Sequence, residues 1–329
     1  MEARPMGTHR WTEASIPDLS GMTAVVTGAN TGLGFETARM LAAHGAAVVL
    51  ACRDMGKAED ASRQIAAVVP GAAASTLHLD LSSLASVRSA AGTLRSRHGR
   101  IDLLINNAGG IIRQYGKTED GFERTLATNH LGPFAFTGLV MDLLLAAPGA
   151  RIVTVSSVGH RRGVIRFEDL QSERGYRFQH SYFQSKLANL MFTYELQRRL
   201  EVAGAAVIAV AAHPGNAHTQ FGRDLPAVAR MVLSPRARPV TFWLLQSAPM
   251  GALSIVRAAV DSEAAGGAYY GPPGRAQFTG YPERVRSSAR SHDADAQRRL
   301  WEVSEQLTGV SYAPDTTRDD SCGSRDVSA

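Results

Sequence analysis

Cysteine is nearly absent: Cys52 and Cys322 are the only two in 329 residues. Two thiols so far apart form neither a disulfide framework nor a CxxC metal pattern. A reducing, cytoplasmic setting is therefore expected. The ten histidines include no HExxH and no His/Cys cluster of zinc spacing, so no metal site is read. Long apolar runs are missing as well. Stretches such as 205–212 fall far below the roughly 18 residues needed to span a bilayer. The first twenty residues carry charges and prolines and lack the apolar stretch of a signal peptide. A soluble chain without a transmembrane segment is expected. Lysine occurs only at 57, 117 and 186, so the net charge of +5 is carried by arginine. No run of five basic residues and no aromatic-basic interleaving occurs, so no nucleic-acid partner is expected.

What is present is an alternation of short apolar, β-branched runs with longer segments of helical period, the pattern of a parallel sheet covered on both faces. Strands are expected at 22–27, 46–51, 75–80, 101–106, 150–156 and 205–211. Helices are expected at about 33–44 and 55–68, from Ser82 or Ser83 onward, at 120–147 with a kink at Gly132-Pro133, and at 181–200. The strands are almost wholly apolar rather than alternating, as burial of both faces requires. The expected fold is a single α/β domain, a doubly wound, Rossmann-type parallel sheet in three layers, over residues 20–312. Residues 1–19 read as an N-terminal extension and 313–329 as a polar, disordered tail. Two long connections, 158–180 and 213–247, are of a length that is usually functional.

Three motifs sit on this frame. Directly after the first strand comes Thr27-Gly28-Ala29-Asn30-Thr31-Gly32-Leu33-Gly34, a GxxxGxG turn opening a helix. Such a turn brings backbone N–H groups to a pyrophosphate at the positive end of the helix. Asn106-Asn107-Ala108-Gly109 follows the fourth strand. Tyr182 and Lys186 lie four apart on one helical face, where an ammonium favours the phenolate of a group that is otherwise a poor base at neutral pH. A plain i,i+4 helix pair is the competing reading, but this chain otherwise uses Arg almost everywhere.

In that order, at those elements, these motifs resemble the short-chain dehydrogenases/reductases over roughly residues 20–270. The resemblance implies a nicotinamide dinucleotide held by Gly28, Asn30, Thr31, Gly32, Leu33 and Gly34. It adds Asp80 and Leu81 at the adenine, and Asn107, Ala108 and Gly109 as a cofactor wall and a prop for the sheet. Asp80 reads equally as an acid at a helix N-terminus. Pro214 and Gly215 would line the nicotinamide and Thr219 would bond its carboxamide. At the end of the second strand, Cys52 stands where NAD-using relatives carry Asp, and Arg53 follows. An arginine fork suits a 2′-phosphate, which favours NADP(H). Asp54 would repel that phosphate if it faced the site, which leaves NAD open.

The resemblance also implies Ser157 as the serine that bonds the substrate oxygen, with Ser156 packing or capping. Tyr182 and Lys186 would form the acid/base pair and touch the cofactor. Asn129 would support a proton relay through Lys186; a locally bonded helix asparagine is the alternative. His130 is read as structural. The twenty-five-residue Ser157–Tyr182 spacing, the Ala-Cys-Arg-Asp of 51–54 and the Ser-Lys-Leu-Ala-Asn of 185–189 resemble the retinol dehydrogenase/WW-domain oxidoreductase-like branch. In the family the segment after Pro214-Gly215 covers the substrate, and the apolar residues of 225–250 there imply a lipophilic one. Packing on the core or on an oligomer partner would account for them equally, and family members are often dimers or tetramers. The expected activity is NADP(H)-dependent interconversion of a carbonyl and an alcohol on an apolar small molecule. An NAD-dependent alcohol dehydrogenase and a catalytically silent dinucleotide-binding sensor or scaffold are the alternatives.

Overall fold

The structure is a computed structural model that describes residues 10–216 and 246–312. Eight strands form one sheet in the order β3-β2-β1-β4-β5-β6-β7-β8. They are β1 (Thr23–Thr27), β2 (Ala47–Cys52), β3 (Ala74–His78), β4 (Leu103–Asn106), β5 (Arg151–Val155), β6 (Ile208–Ala212), β7 (Tyr269–Gly271) and β8 (Glu283–Arg284). All pairings are parallel except that of the two-residue edge strand β8. The helices are α1 (Gly32–Ala43), α2 (Met55–Val68), α3 (Leu84–Arg97), α4 (Arg124–Leu126), α5 (Gly132–Leu139), α6 (Met141–Leu145), α7 (Phe178–Val202), α8 (Ala248–Val260) and α9 (Ala294–Thr308).

Successive strand residues feed opposite layers, which is why the strands read as unbroken apolar runs. In β1, Ala24 and Val26 enter a core with α1 and α8, while Val25 enters the core on the other face with α3, α5 and α9. In β4, Leu103 and Ile105 join the first core and Leu104 the second. The chain is thus an α/β domain with helices on both faces of a parallel sheet. Ile16 and Leu19 are buried in the first core, and Leu19 N–H donates to the His44 carbonyl at 2.7 Å. The residues just before β1 are packed rather than free.

Two sequence expectations need correction. The helix expected over 120–147 begins only at Arg124, because Gly121 at φ +84° closes a turn on Thr118 first. The Glu123 carboxylate then caps α4. Its distortion lies before Gly132-Pro133, as a π-turn over Ala127–Leu131 in which the Gly132 N–H reaches the Ala127 carbonyl. Pro133 cannot donate to the carbonyl four residues back and crowds it, so the wider turn is the natural adjustment. A second break at Val140 (φ −110°, ψ 13°) separates α5 from α6. The sixth strand starts at Ile208, since α7 runs on to Val202 and Gly204 at φ +63° turns the chain first. No element was anticipated after that strand. Yet Ser247 caps α8, Asp293 caps α9, and Gly309 at φ +62° stops α9. Thr219, the apolar segment 217–245, Cys322 and the tail 313–329 lie outside the described residues.

The strand order reverses between β1 and β4, which opens a crevice at the carboxyl ends of the strands, where ligands of such sheets bind. Gly132 packs so closely beneath it that a methyl group there would overlap the Leu81 carbonyl. Gly132→Ala is expected to cost about 1–3 kcal/mol by overpacking, despite its better helix propensity. A thermal melt matching wild type would refute that contact.

Candidate active site

The turn from β1 to α1 is built by glycine for steric reasons. Gly28 (φ +65°) and Gly32 (φ +59°) occupy the left-handed region. Gly34 packs so tightly that any side chain would meet the Gly28 carbonyl and the Asn107 amide. Thr31 begins α1 without a side-chain cap, so the first helical N–H groups have no side-chain acceptor. Together these make a cradle for an anion at the positive helix end. A cavity of about 440 Å³ opens beside it. Of the residues expected at a cofactor, Gly28, Asn30, Arg53, Leu81, Ala108 and Gly109 border it, as does Asp80. Thr31, Gly32, Leu33 and Gly34 instead form the helix start.

Asn107 serves the turn rather than the cavity. Its Nδ2 donates to the Thr27 carbonyl at 2.8 Å. The N–H groups of Asn107 and Ala108 donate to Thr27 Oγ1 at 3.0 and 2.9 Å, and that hydroxyl donates to the Ile105 carbonyl at 3.2 Å. Thr27 therefore clamps β1 to β4, a role that its place just before Gly28 had signalled without its being read. Asp80 accepts the Ser82 N–H at 2.9 Å and the Ser82 hydroxyl at 2.6 Å on one oxygen, so it shapes a turn while facing the cavity.

At the end of β2 the charges sort themselves. Cys52 is buried; burial pushes its thiol up to about 11, against hydrogen bonds from the Ala29 and Asn30 backbone. Asp54 turns to cap α2, accepting Lys57 N–H at 3.1 Å and Lys57 Nζ at 2.6 Å. Those bonds hold its carboxyl below the usual range. Arg53 is exposed at the cavity and has no ion-pair partner among the described residues.

The second cluster lies past the ends of β4 and β5. Ser157 follows β5 in extended conformation, and its Oγ accepts the Gly159 N–H at 3.1 Å. Tyr182 and Lys186 project from one face of α7. Burial pushes the Tyr182 phenol up, and a hydrogen bond with the Ser157 side chain draws it partly back. Burial pushes the Lys186 ammonium down to about 8. Its Nζ donates to the Val155 carbonyl at 3.0 Å and lies 5.9 Å from the centre of the Tyr182 ring. Ser156 Oγ donates to the Lys186 carbonyl at 2.7 Å, tying β5 to α7.

Asn129 sits in the π-turn and is buried. Its Oδ1 accepts the Gly110 N–H at 2.9 Å, and its Nδ2 donates to the Gly110 carbonyl at 3.0 Å and to Ser185 Oγ at 2.9 Å. A side chain on Gly109 would come within 2.8 Å of Asn129 Oδ1 and 3.5 Å of Lys186 Nζ, so three expected residues converge on one point. Ser185 was not among the residues read from the sequence; its i+3 spacing from Tyr182 was the available signal. Pro214 and Gly215 (φ +65°) follow β6, and Gln246 Nε2 donates to the Pro214 carbonyl at 2.5 Å. His130 packs among Phe134 and Phe192, bonded to Ser304 at 2.9 Å. Among the described residues there is no group of three metal-ligating side chains, and no helix is long and apolar enough to cross a membrane.

The model of the short chain dehydrogenase family matches residues 22–228. The chain belongs to that family. It is accordingly an oxidoreductase that works between CH–OH and C=O groups with a nicotinamide dinucleotide. It is 40% identical to human retinol dehydrogenase 13 over 302 residues, 91% of this chain and 87% of the relative. To mouse retinol dehydrogenase 14 it is 37% identical, over 89% of this chain and 87% of that one. A crystal structure of an uncharacterised protein from Mycobacterium paratuberculosis shares 40% identity and superposes with a TM-score of 0.77, covering 93% of this chain and all of the other. The Pseudomonas aeruginosa RhlG/NADP complex, 24% identical with a TM-score of 0.59 over 77% of this chain and 94% of its own, is alike in fold.

Burial holds three imidazoles neutral: His130 and His160 are pushed down to about 4 and His213 to about 3. Each folded pKa lies below the unfolded value near 6.5. The cost is therefore nil above pH 6.5 and grows as pH falls toward 4, because the unfolded chain binds protons first. At pH 5 each contributes about 2 kcal/mol of destabilisation. Thermal melts should fall by roughly 10–20 °C between pH 7.5 and 5. A flat profile would show that these rings are not buried as neutral groups.

Proposed function

We propose that the protein is an NADP(H)-dependent oxidoreductase that interconverts an apolar aldehyde or ketone with its alcohol. The observation that carries the chemistry is the meeting of Ser157 and Tyr182 beside Lys186, at the strand ends next to the glycine cradle. The uncapped start of α1, the close-packed Gly28–Gly34 turn and the cavity beside them fit a dinucleotide. Gly28, Asn30 and the first N–H groups of α1 would hold its pyrophosphate, and Ala108 and Gly109 its wall. When bound, the nicotinamide supplies or accepts the hydride.

In the reductive direction Tyr182 donates its phenolic proton to the oxygen that becomes the alcohol. The Ser157 hydroxyl donates a hydrogen bond to the same oxygen and keeps it beside the phenol. A phenol pushed up by burial is a firmly protonated acid at neutral pH. Lys186, at about 8, is mostly cationic at pH 7 and offsets the charge left on Tyr182 when the proton leaves. Asn129 spends its amide on Gly110 and Ser185 but keeps one Oδ1 lone pair near the point that Lys186 Nζ also approaches. That suits it to accept a hydrogen bond from a water that relays protons through Lys186. Preference for the 2′-phosphate is supported by charge: Arg53, Asp54 and Lys57 all border the cavity, and Lys57 pairs with Asp54, so the unpaired charge of the three is that of Arg53. An apolar substrate is supported by the names of the retinol dehydrogenase relatives.

Fluorescence titration is expected to show NADPH binding at least tenfold tighter than NADH, with the difference lost in Arg53→Ala. Equal or tighter NADH binding would assign the ribose end to Asp54 and the chemistry to NAD. Tyr182→Phe should bind NADPH as wild type does and lose about 10²–10⁴ in kcat with an aliphatic aldehyde. Turnover that survives this change would remove Tyr182 as the acid.

A further inference from the structure

Glu123 is wholly buried, and no step above uses it. Its carboxylate is nonetheless fully engaged. Oε1 accepts the Thr125 N–H at 2.7 Å, while Oε2 accepts the Leu126 N–H at 2.9 Å and the Ser181 hydroxyl at 2.7 Å. Its own N–H donates to Gln171 Oε1 at 2.7 Å. Two of these bonds cap α4, a task that an exposed Ser or Asp performs equally well. The bond to Ser181 is not needed for a cap. It reaches 58 positions along the chain, to the residue immediately before Tyr182.

Arg177 begins α7 without a side-chain cap, and the bonds of Gln184 to the Arg166 N–H and the Leu170 carbonyl hold the helix on the other side of Tyr182. A carboxylate at the fourth residue of a long helix also lies at its positive end, where negative charge is favoured. From Glu123 the network continues outward. Thr125 Oγ1 and the Tyr176 hydroxyl are 3.1 Å apart, and that hydroxyl donates to the Ile112 carbonyl at 2.5 Å. Ile112 and Arg124 both border the cofactor cavity. One buried carboxylate thus joins the cavity wall to the turn of helix that carries Tyr182.

We infer that Glu123 is a positioning residue that acts through Ser181 to fix Tyr182 relative to the cofactor cavity. The inference rests on the reading of Tyr182 as the acid. Acid catalysis is steep in geometry, and a misplacement of about 1 Å costs on the order of a hundredfold. A carboxylate that accepts a backbone N–H on each oxygen has no neutral substitute: an amide in its place must turn its NH₂ toward the N–H of Thr125 or of Leu126, which can only donate.

The test uses the full chain with NADPH and decanal, and ¹³Cζ-tyrosine NMR of the cofactor-free protein at pH 7.5. The Tyr182 resonance is assigned by its loss in Tyr182→Phe. Ser181→Ala, which leaves the cap intact, is expected to move that resonance beyond its linewidth and to lower kcat five- to twentyfold. KM for NADPH should stay within twofold, and Ser181→Thr, which returns the hydroxyl, should restore both resonance and rate. Glu123→Gln should lose at least as much, and the double variant Glu123→Gln/Ser181→Ala no more than Glu123→Gln alone. If Glu123→Gln folds poorly, Ser181→Ala and its threonine rescue decide the matter. An unmoved resonance and wild-type kcat in Ser181→Ala, with Tyr182→Phe inactive, would overturn the inference and leave the catalytic reading intact. Turnover surviving Tyr182→Phe would overturn the catalytic reading and this inference with it.

Discussion

The hydroxyl of Thr27 ties β1 to β4 at the one place where the winding of the sheet reverses, and the site is arranged around that tie. It receives the N–H groups of Asn107 and Ala108 and donates to Ile105, so the two central strands end in register. With the strand ends held, Asn107 can reach the carbonyl of Thr27 and pack against Gly34. Only glycine fits the resulting gap between turn and wall. The glycine turn, the cavity beside it and the approach of Gly109 to Asn129 and Lys186 all follow from this close junction of backbone with backbone.

Electrostatics divides the crevice into two unlike halves. Toward β2 and β3 it is charged: Arg53 is exposed at the edge of the cavity, and Lys57 pairs with Asp54. Toward β5 and β6 burial sets the protonation states. Tyr182 is driven up and Lys186 down, the directions that desolvation imposes on an acid and a base. From sequence, the ammonium was expected to favour the phenolate. In the folded chain burial raises the phenol, which keeps it protonated at neutral pH. Burial likewise keeps His160, after β5, and His213, after β6, neutral.

Much of the frame was legible because its signals are local. Apolar runs marked β1 to β5 to within a residue or two, the start of α2 was read directly, and of the two caps offered for α3 the chain uses Ser83. Gly28, Gly32 and Gly34 stood out because a left-handed turn and a close approach demand glycine. Tyr182 and Lys186 stood out because four residues make a helical face. The segment 120–147 misled because its composition is helical throughout. What breaks it, Pro133 crowding the carbonyl of Asn129 and the turn at Gly121, acts through geometry rather than propensity. The strands β7 and β8, of three and two residues, carry too little pattern to be seen at all.

The sequence by itself determined the order of the first six strands and the helices between them, the glycine turn and the pairing of Tyr182 with Lys186 on one helical face, because each depends on residues within one turn or one strand of each other. Tertiary structure alone decided how the carboxylates near the site are engaged. Asp54 borders the cavity but is paired with Lys57, Asp80 is half-spent on Ser82, and Glu123, unremarkable in the chain, becomes the buried link to Ser181. A charged side chain is placed by partners that lie tens of residues away, and by the cost of leaving it without them, and neither is written in the neighbouring residues.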